Sequence, residues 1–452
     1  MKRCFALLSL LSASLSTAAA VLPRPADQLD LDRPFDSVLW ITTHNAANFG
    51  SLVPNQELDL HTQLERGARG LMLDIWEVDG TLYTCHQNCA FHGRKALLED
   101  DLETINRFLQ ATPDAIITLH LEDHVTRPTL AAFIARRPDL FARSFDPTDP
   151  RWLAASPRWP SLRQLIAAGQ RLLITTQRSE LSGPYAGSRA WLIHDQSLVA
   201  ENYWSLGNTI FTHDNRCVPR WEHVPLDDPS GTQGLPRLFV MNHFHGVPLG
   251  LHSRTDNRLD VVLERLQSHC LPAAGRMPNY LAIDFIEQGD LLEFAETYNH
   301  GGVLAYPQRG ATGQPICSFS LAFDRQWRLD QLPRMGCEND NIRSLVLRGV
   351  RAGQQLILYA DAGAAAGTDH TVIDVLRDIP WHAPQPVDTL DVDQQSAYLR
   401  VRHHGRGALD GHVSQIATRP AIDPGAGAGD DADADADAEA LALASTLSPA
   451  TR

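Results

Sequence analysis

Two histidines and three oxygen-bearing side chains fall at or near the ends of apolar, strand-like runs. His44 and Asn45 follow Trp40-Ile-Thr-Thr, Asp74 lies in Leu71-Met-Leu-Asp74-Ile-Trp76, His86 follows Leu82-Tyr-Thr-Cys85, and Glu122 follows Ile116-Ile-Thr-Leu-His-Leu. Two histidines beside a hard-cation site are what phosphodiester cleavage needs. One takes the proton of an attacking hydroxyl, the other protonates the leaving oxygen, and a cation neutralises phosphoryl charge. Asn45, Asp74 and Glu122 offer one neutral and two anionic oxygen groups, which suits Ca²⁺. The bland alternative for Asp74 and Glu122 is a buried ion pair with Arg69 or Lys95. The chain has no Gly-rich nucleotide loop, no Gly-x-Ser-x-Gly elbow and no basic phosphate-binding cluster.

The elements that must position these residues alternate in type. Val38–Thr43, Leu71–Trp76, Leu82–Cys85 and Ala115–Leu121 read as strands, with Asp79-Gly80 as a hairpin turn. Leu58–Gly67 reads as a helix. So does Leu97–Leu109, with Leu98, Leu102, Ile105 and Leu109 on one face. Leu162–Ala168, Arg258–Ser268 and Leu291–Tyr298 read as further helices, and Arg171–Thr175, Arg237–Asn242 and Tyr280–Phe285 as strands. This is a parallel α/β pattern. Polar residues recur at strand ends, at His44, Asp74, Glu122, Gln177, His243 and Asp284. In a TIM-type barrel such positions gather at the C-terminal mouth. Weaker candidates for that mouth are Glu77, His92, His120, His124 and His245. Asp123 and Asp284 are candidates to orient a histidine through its second ring nitrogen.

The same segments carry a resemblance. Ile41-Thr-Thr-His44-Asn45, Gly67-Ala-Arg69-Gly-Leu-Met72-Leu-Asp74-Ile-Trp76, Leu82-Tyr-Thr-Cys85-His86 and Ile116-Ile-Thr-Leu-His-Leu-Glu122-Asp123-His124 follow one another in order. Together they resemble the phosphatidylinositol-specific phospholipase C X-domain family over about residues 36–125, with a thinner match to about 306. The resemblance implies a distorted TIM barrel, with His44 as general base or transition-state donor and His86 as general acid. Calcium-dependent members have His-Asn, then Glu-x-Asp, then Glu. Metal-independent members have His-Asp and basic residues on the second and third strands. His44-Asn45, Asp74 and Glu122 match the calcium pattern. Met72 replaces its first acid, and a thioether is a poor ligand for a hard cation. Gln87 stands where the family usually has Gly.

Met1-Lys2-Arg3, an apolar run from Cys4 to Leu15 and Ala18-Ala19-Ala20 read as a signal peptide of residues 1–20, cleaved after Ala20. The run is shorter than the ~20 residues a span needs, so a membrane anchor is disfavoured. A secreted or periplasmic location follows as the expectation. The formal charge of −15 argues against nucleic acid and against electrostatic capture by anionic membranes. Beyond Cys4 there are six cysteines, and export favours disulfides. Chain order suggests Cys85–Cys89, Cys217–Cys270 and Cys317–Cys337, among fifteen possible pairings. A zinc set of Cys85, His86, Cys89 and His92 is the competing reading of that stretch.

From about residue 313 the pattern changes to short strands and turns: Ile316–Phe323, Ser344–Leu347, Gln355–Tyr359 and Tyr398–Val401. Asp340-Asn341-Ile-Arg-Ser344 and Asp410-Gly411-His-Val-Ser414 resemble the calcium loops of βγ-crystallin-type modules, although polar turns of any β-sandwich read the same way. Residues after 422 are Gly-Ala repeats and alternating Asp, a disordered acidic tail.

The expected architecture is α/β: residues 21–311 a distorted TIM-type (β/α) barrel, residues 312–421 a small all-β domain, residues 422–452 a tail. The expected function is a secreted phospholipase C-like phosphoric diester hydrolase. It would act on phosphatidylinositol-type lipids at a membrane surface, through His44 and His86, with Ca²⁺ on Asn45, Asp74 and Glu122. The alternative is a secreted binding protein on a catalytically degenerate barrel.

Overall fold

The structure is a computed structural model. It describes residues 28–421 apart from 87–88, 90–93, 154–156, 208–211, 331–336, 365–366 and 381–382. The expected signal peptide, the acidic tail, Gln87 and His92 lie outside the described residues.

β1 (Trp40–Thr43) and β2 (Gly70–Val78) are followed by a short excursion, β3 (Thr81–Cys85) and β4 (Lys95–Leu97). β5 (Ile117–His124), β6 (Leu172–Thr176), β7 (Gly183–Pro184), β8 (Trp191–His194), β9 (Val199–Glu201), β10 (Leu238–Asn242) and β11 (Tyr280–Ile283) complete the first part. Eight of these strands form a curled parallel sheet in the order β8-β6-β5-β2-β1-β11-β10-β9. That is the cyclic order of a TIM-type barrel, open at one seam. The seam has a chain-length cause. Parallel neighbours need a crossover of about a dozen residues or more, and only the one-turn helix Asp195–Leu198 separates β8 from β9. The sequence reading omitted both strands, which are four and three residues long.

Local chemistry explains the elements nearest the site. Asp59 caps the helix Leu60–Arg66 by accepting from Thr62 N at 2.8 Å, and Gly67 ends it at φ +116°. The helix Leu98–Ala111 buries Leu98, Leu102, Ile105 and Leu109 as expected, and Phe108 with them. Each such side chain contributes roughly 1.5–3 kcal/mol. Gly70 opens β2 where β1 approaches closely: a Cβ there would lie 2.2 Å from Thr42 Oγ1. The turn Asp79-Gly80, with φ +50° and +74°, folds β3 back on β2. His86 is therefore delivered by a hairpin and not by a barrel strand.

Side-chain alternation divides the barrel. Leu39, Ile41, Leu71, Leu73, Leu119, Ile174, Met241 and Ile283 belong to one core cluster; Trp40, Leu173, Ile193, Val240 and Tyr280 belong to a second. Continuing the second set by steps of two gives His44 from Trp40 and Asp284 from Tyr280.

The second part holds β12 (Gly302–Tyr306), β13 (Cys317–Ser320), β14 (Arg325–Arg328), β15 (Ser344–Arg348), β16 (Gln355–Tyr359), β17 (His370–Val375), β18 (Gln385–Val387), β19 (Gln394–Gln395), β20 (Leu399–His404) and β21 (Gln415–Arg419). They make two antiparallel sheets, β13-β12-β15-β18 and β14-β21-β16-β17-β20-β19. The expected boundary at 311/312 falls shortly after β12. β12 lies N-terminal to it, yet pairs with β13 and β15 in the interior of the four-stranded sheet. Its side chains alternate between two cores: Leu304 and Tyr306 join the barrel cluster, Val303 and Ala305 the β-domain cluster. This pairing supports a proposed boundary near Gly301.

All three suggested disulfides are present, with Cα–Cα distances of 5.2, 5.0 and 5.1 Å. Cys85 and Cys89 are thus joined to each other, which removes the zinc reading of that stretch. The resembled calcium loops are engaged internally. Asp410 Oδ1 accepts from Leu390 N at 2.6 Å, and Oδ2 from Thr389 Oγ1 at 2.8 Å and from Arg309. Asp340 accepts from Ser414 Oγ at 3.3 Å.

Candidate active site

His44, Asn45, Asp74, His86 and Glu122 all line one cavity of about 410 Å³ at the C-terminal mouth of the parallel strands. Strand register makes much of this convergence. Asp74 on β2 is directly opposite Glu122 on β5, and Met72 opposite His120. Thr43 is opposite Ile283, which sets His44 beside Asp284.

Each histidine is backed by a carboxylate. His44 Nδ1 lies 2.9 Å from Asp284 Oδ1, and Asn55 Nδ2 donates to the same oxygen at 3.0 Å. Gln56 Nε2 donates to the His44 carbonyl at 3.0 Å. The ring of Phe244 stacks on the imidazole, with centroids 3.6 Å apart. Asp284 is buried and His44 retains an exposed edge. Across the cavity His86 Nδ1 lies 3.2 Å from Asp74 Oδ2. This hydrogen bond is the largest influence on His86. With the nearby charges of Asp74, Glu122 and Asp284, it outweighs burial and raises the imidazole above its ordinary pKa. A carboxylate at Nδ1 leaves Nε2 of each ring for chemistry.

The oxygen groups fit a hard cation in kind. Asn45 sits at φ +44°, a conformation Asn tolerates. Its Nδ2 donates to Asn55 Oδ1 at 3.3 Å, which leaves its amide oxygen available as an acceptor or ligand atom. Asp74 keeps Oδ1 beside the oxygen that faces His86. Glu122 is half exposed, with His124 Nε2 at 3.4 Å. Met72 also lines the cavity, two residues before Asp74 on the same strand. Arg69 and Lys95 are placed elsewhere: Arg69 donates to the carbonyls of Leu64 and Ala68, and Lys95 lies over the Tyr83 ring at 4.0 Å.

The opposite wall was not foreseen. Arg220 Nη1 donates to Glu201 Oε1 at 2.8 Å, and Asn242 Nδ2 donates to the same oxygen at 2.6 Å. Arg220 is the one arginine in the lining among the described residues. Asp195, beside them, is pushed up to about 7 by burial and by the Glu201 charge. These residues depend on β8 and β9, the two strands too short to read. At the cavity floor, burial pushes His120 down to about 4, and its Nε2 has no hydrogen-bond partner.

The weaker candidates separate. Glu77 accepts from Thr126 N at 2.8 Å and from Thr129 Oγ1 at 2.7 Å, a cap for the helix Arg127–Ala135. His124 stacks on Trp76 at 3.8 Å. Asp123 accepts from Thr176 Oγ1 and orients no histidine of this cavity. His243 and His245 belong to a separate cluster described below.

The PI-PLC X family model matches residues 31–299, more than half of the chain, and the chain belongs to that family. A PI-PLC X domain-containing protein of Arabidopsis thaliana is 27% identical over 277 residues, covering 57% of this chain and 60% of the relative. A protein of Arthroderma benhamiae described as an uncharacterized secreted protein is 22% identical over 281 residues, covering 57% of this chain and 59% of the relative. The match thus spans about three fifths of each relative's length. Among solved structures, the phosphatidylinositol-specific phospholipase C of Listeria monocytogenes aligns with a TM-score of 0.41 and 14% identity, covering 61% of this chain and 97% of that one.

Proposed function

We propose that the chain is a phospholipase C-like phosphodiesterase acting on phosphatidylinositol-type lipids outside the cell. The observation that carries this reading is the pair of His–Asp dyads facing one cavity, His44–Asp284 and His86–Asp74.

In this reading His44 Nε2 takes the proton of a substrate hydroxyl as that oxygen attacks its own phosphorus. Asp284 holds the ring and stabilises the imidazolium that forms. His86, whose protonated form Asp74 favours, gives its proton to the departing glycerol oxygen. The products are a cyclic phosphate and diacylglycerol. Arg220 and Glu201 face the headgroup as a donor–acceptor pair for sugar hydroxyls. Asn45, Asp74 and Glu122 would hold Ca²⁺, which would supply charge neutralisation at a phosphoryl oxygen.

A lipid surface suits the rim. Leu52 and Leu251 are 81% and 74% exposed, and Tyr203, Trp204, Val247 and Leu249 are also exposed. They lie on the segments that follow β1, β9 and β10. Such apolar residues attach to an interface through burial rather than charge, consistent with an acidic chain. Three disulfides and a relative described as secreted support an extracytoplasmic site. Among the described residues no helix is long and apolar enough to cross a membrane.

The test is diacylglycerol release from phosphatidylinositol vesicles, with Ca²⁺ and with chelator. Release that stops with chelator and returns with Ca²⁺ is the expected result. Full activity in chelator removes the calcium assignment. No turnover under any metal favours the degenerate-barrel reading, for which Met72 in place of an acid is the motivating residue.

A further inference from the structure

A second constellation lies outside the cavity. His213 Nε2 is 2.9 Å from Asp256 Oδ1, His245 Nε2 is 3.0 Å from Asp256 Oδ2, and the two imidazole nitrogens are 3.2 Å apart. Among the described residues this is the one group of three His, Cys, Asp or Glu side chains whose ligand atoms converge within 4.8 Å. None of the three lines the candidate active site.

We propose that His213, His245 and Asp256 form a Zn²⁺ site with three protein ligands and one open position. The donor set, two imidazoles and a carboxylate, is a common zinc combination. Ligands about 2.1 Å from a tetrahedral ion stand roughly 3.4 Å apart; the two imidazole nitrogens are 3.2 Å apart, and one ligand atom from each of the three residues falls within 4.8 Å of the others. Without an ion, the two imidazole nitrogens converge on one buried carboxylate, each at a different oxygen. Asp256 and His245 are 5% and 4% exposed, and a buried charge calls for pairing or a metal. His213 is 45% exposed, which gives the ion an entry path.

The surroundings are built to hold the carboxylate in place. Arg265 Nη1 donates to His243 Nδ1 at 3.0 Å, so His243 Nε2 carries the proton and donates to the Asp256 carbonyl at 2.9 Å. His243 is thereby a support and not a ligand. Asn257, the next residue, donates from Nδ2 to the Asp284 carbonyl at 2.9 Å. Phe244, which stacks on His44, sits between His243 and His245. Zinc at this point would tie the segment around His213 to the end of β10 and to the helix Gly250–Asp256. It would fix from behind the backbone that carries Phe244 and, through Asn257, that of Asp284. This proposal does not depend on the phosphodiesterase reading.

The test uses the full chain without a histidine tag, stripped with chelator and titrated with Zn²⁺ against a chromogenic competitor, with a thermal melt in parallel. One Zn²⁺ per chain and a rise in Tm are expected, with Ca²⁺ failing to displace it. His213→Ala, at the exposed ligand, should weaken binding at least about 10-fold, the loss even outer-shell changes cause. Glu122→Gln should leave it unchanged. No stoichiometric Zn²⁺ binding would overturn the proposal and leave a hydrogen-bonded His–Asp–His network. So would binding that survives His213→Ala and His245→Ala, or that is lost in Glu122→Gln.

Discussion

His86 Nδ1 lies 3.2 Å from Asp74 Oδ2, so a carboxylate that the sequence pattern assigns to a metal is also hydrogen-bonded to a candidate acid–base histidine. Asp74 thus links the two halves of the proposed chemistry. One of its oxygens holds the imidazole and the other remains for a cation.

Replacing either histidine should separate chemistry from folding. His44→Ala and His86→Ala are each expected to lower diacylglycerol release by roughly 10²–10⁴-fold, the usual contribution of a positioned acid or base. His86 is the more exposed ring, so its variant should melt near wild type, and a far-ultraviolet spectrum of each variant checks that the fold is kept. Near-wild-type turnover in either variant would sink the assignment.

The pH profile isolates the role of Asp74. His86 must be protonated to act as an acid, so kcat should fall as pH rises through its raised pKa. Asp74→Asn removes the main cause of the elevation, and the alkaline limb should move toward lower pH. The stability contribution has the same sign: it is full below the ordinary histidine pKa and is lost as pH climbs past the raised one. A weaker Ca²⁺ response with an unmoved limb would show Asp74 to be a ligand only.

Asp195 offers a stability measurement. Burial and the neighbouring Glu201 charge push its carboxyl up to about 7 in the fold, well above the ordinary aspartate range. The folded state therefore binds more protons between about pH 4 and pH 7, and this residue makes stability fall across that window. The full cost above it is up to roughly 4 kcal/mol. Asp195→Asn should raise Tm at pH 8 and change it little at pH 4. Equal effects at both values would contradict the assignment.

The shared strand β12 predicts where the chain can be cut. A fragment of residues 312–421 lacks the strand that β13 and β15 both pair with, and should be unfolded under oxidising conditions. A fragment beginning at Gly301 retains that strand and should give the far-ultraviolet signal of a β protein. Folding of the shorter fragment would return the boundary to 311/312.

Much of the proposed site was legible because it follows strongly apolar runs. His44, Asp74 and Glu122 end or continue runs of Ile, Leu and Trp, and Asp284 was visible as a candidate orienting acid. Glu201, Arg220 and Asp195 were not. Glu201 ends a three-residue strand, Asp195 opens a single helical turn and Arg220 lies in the loop beyond, all too short or irregular for periodicity to register. β12 was missed for another reason. Gly-Val-Leu-Ala-Tyr306 is apolar on both faces because it is buried on both, and such a run shows no alternation. His213 and Asp256 had no signal at all, since they meet His245 only through tertiary folding.

In a closed barrel, strand number and stagger fix the diameter. Here no ladder joins β8 to β9, so the circumference is not set by backbone pairing. The bore at that seam is defined by what the side chains permit, chiefly the Asp195, Glu201 and Arg220 group. Headgroup size would then be a property that a few substitutions along one wall can retune, while the ladders that hold the two histidine dyads stay untouched.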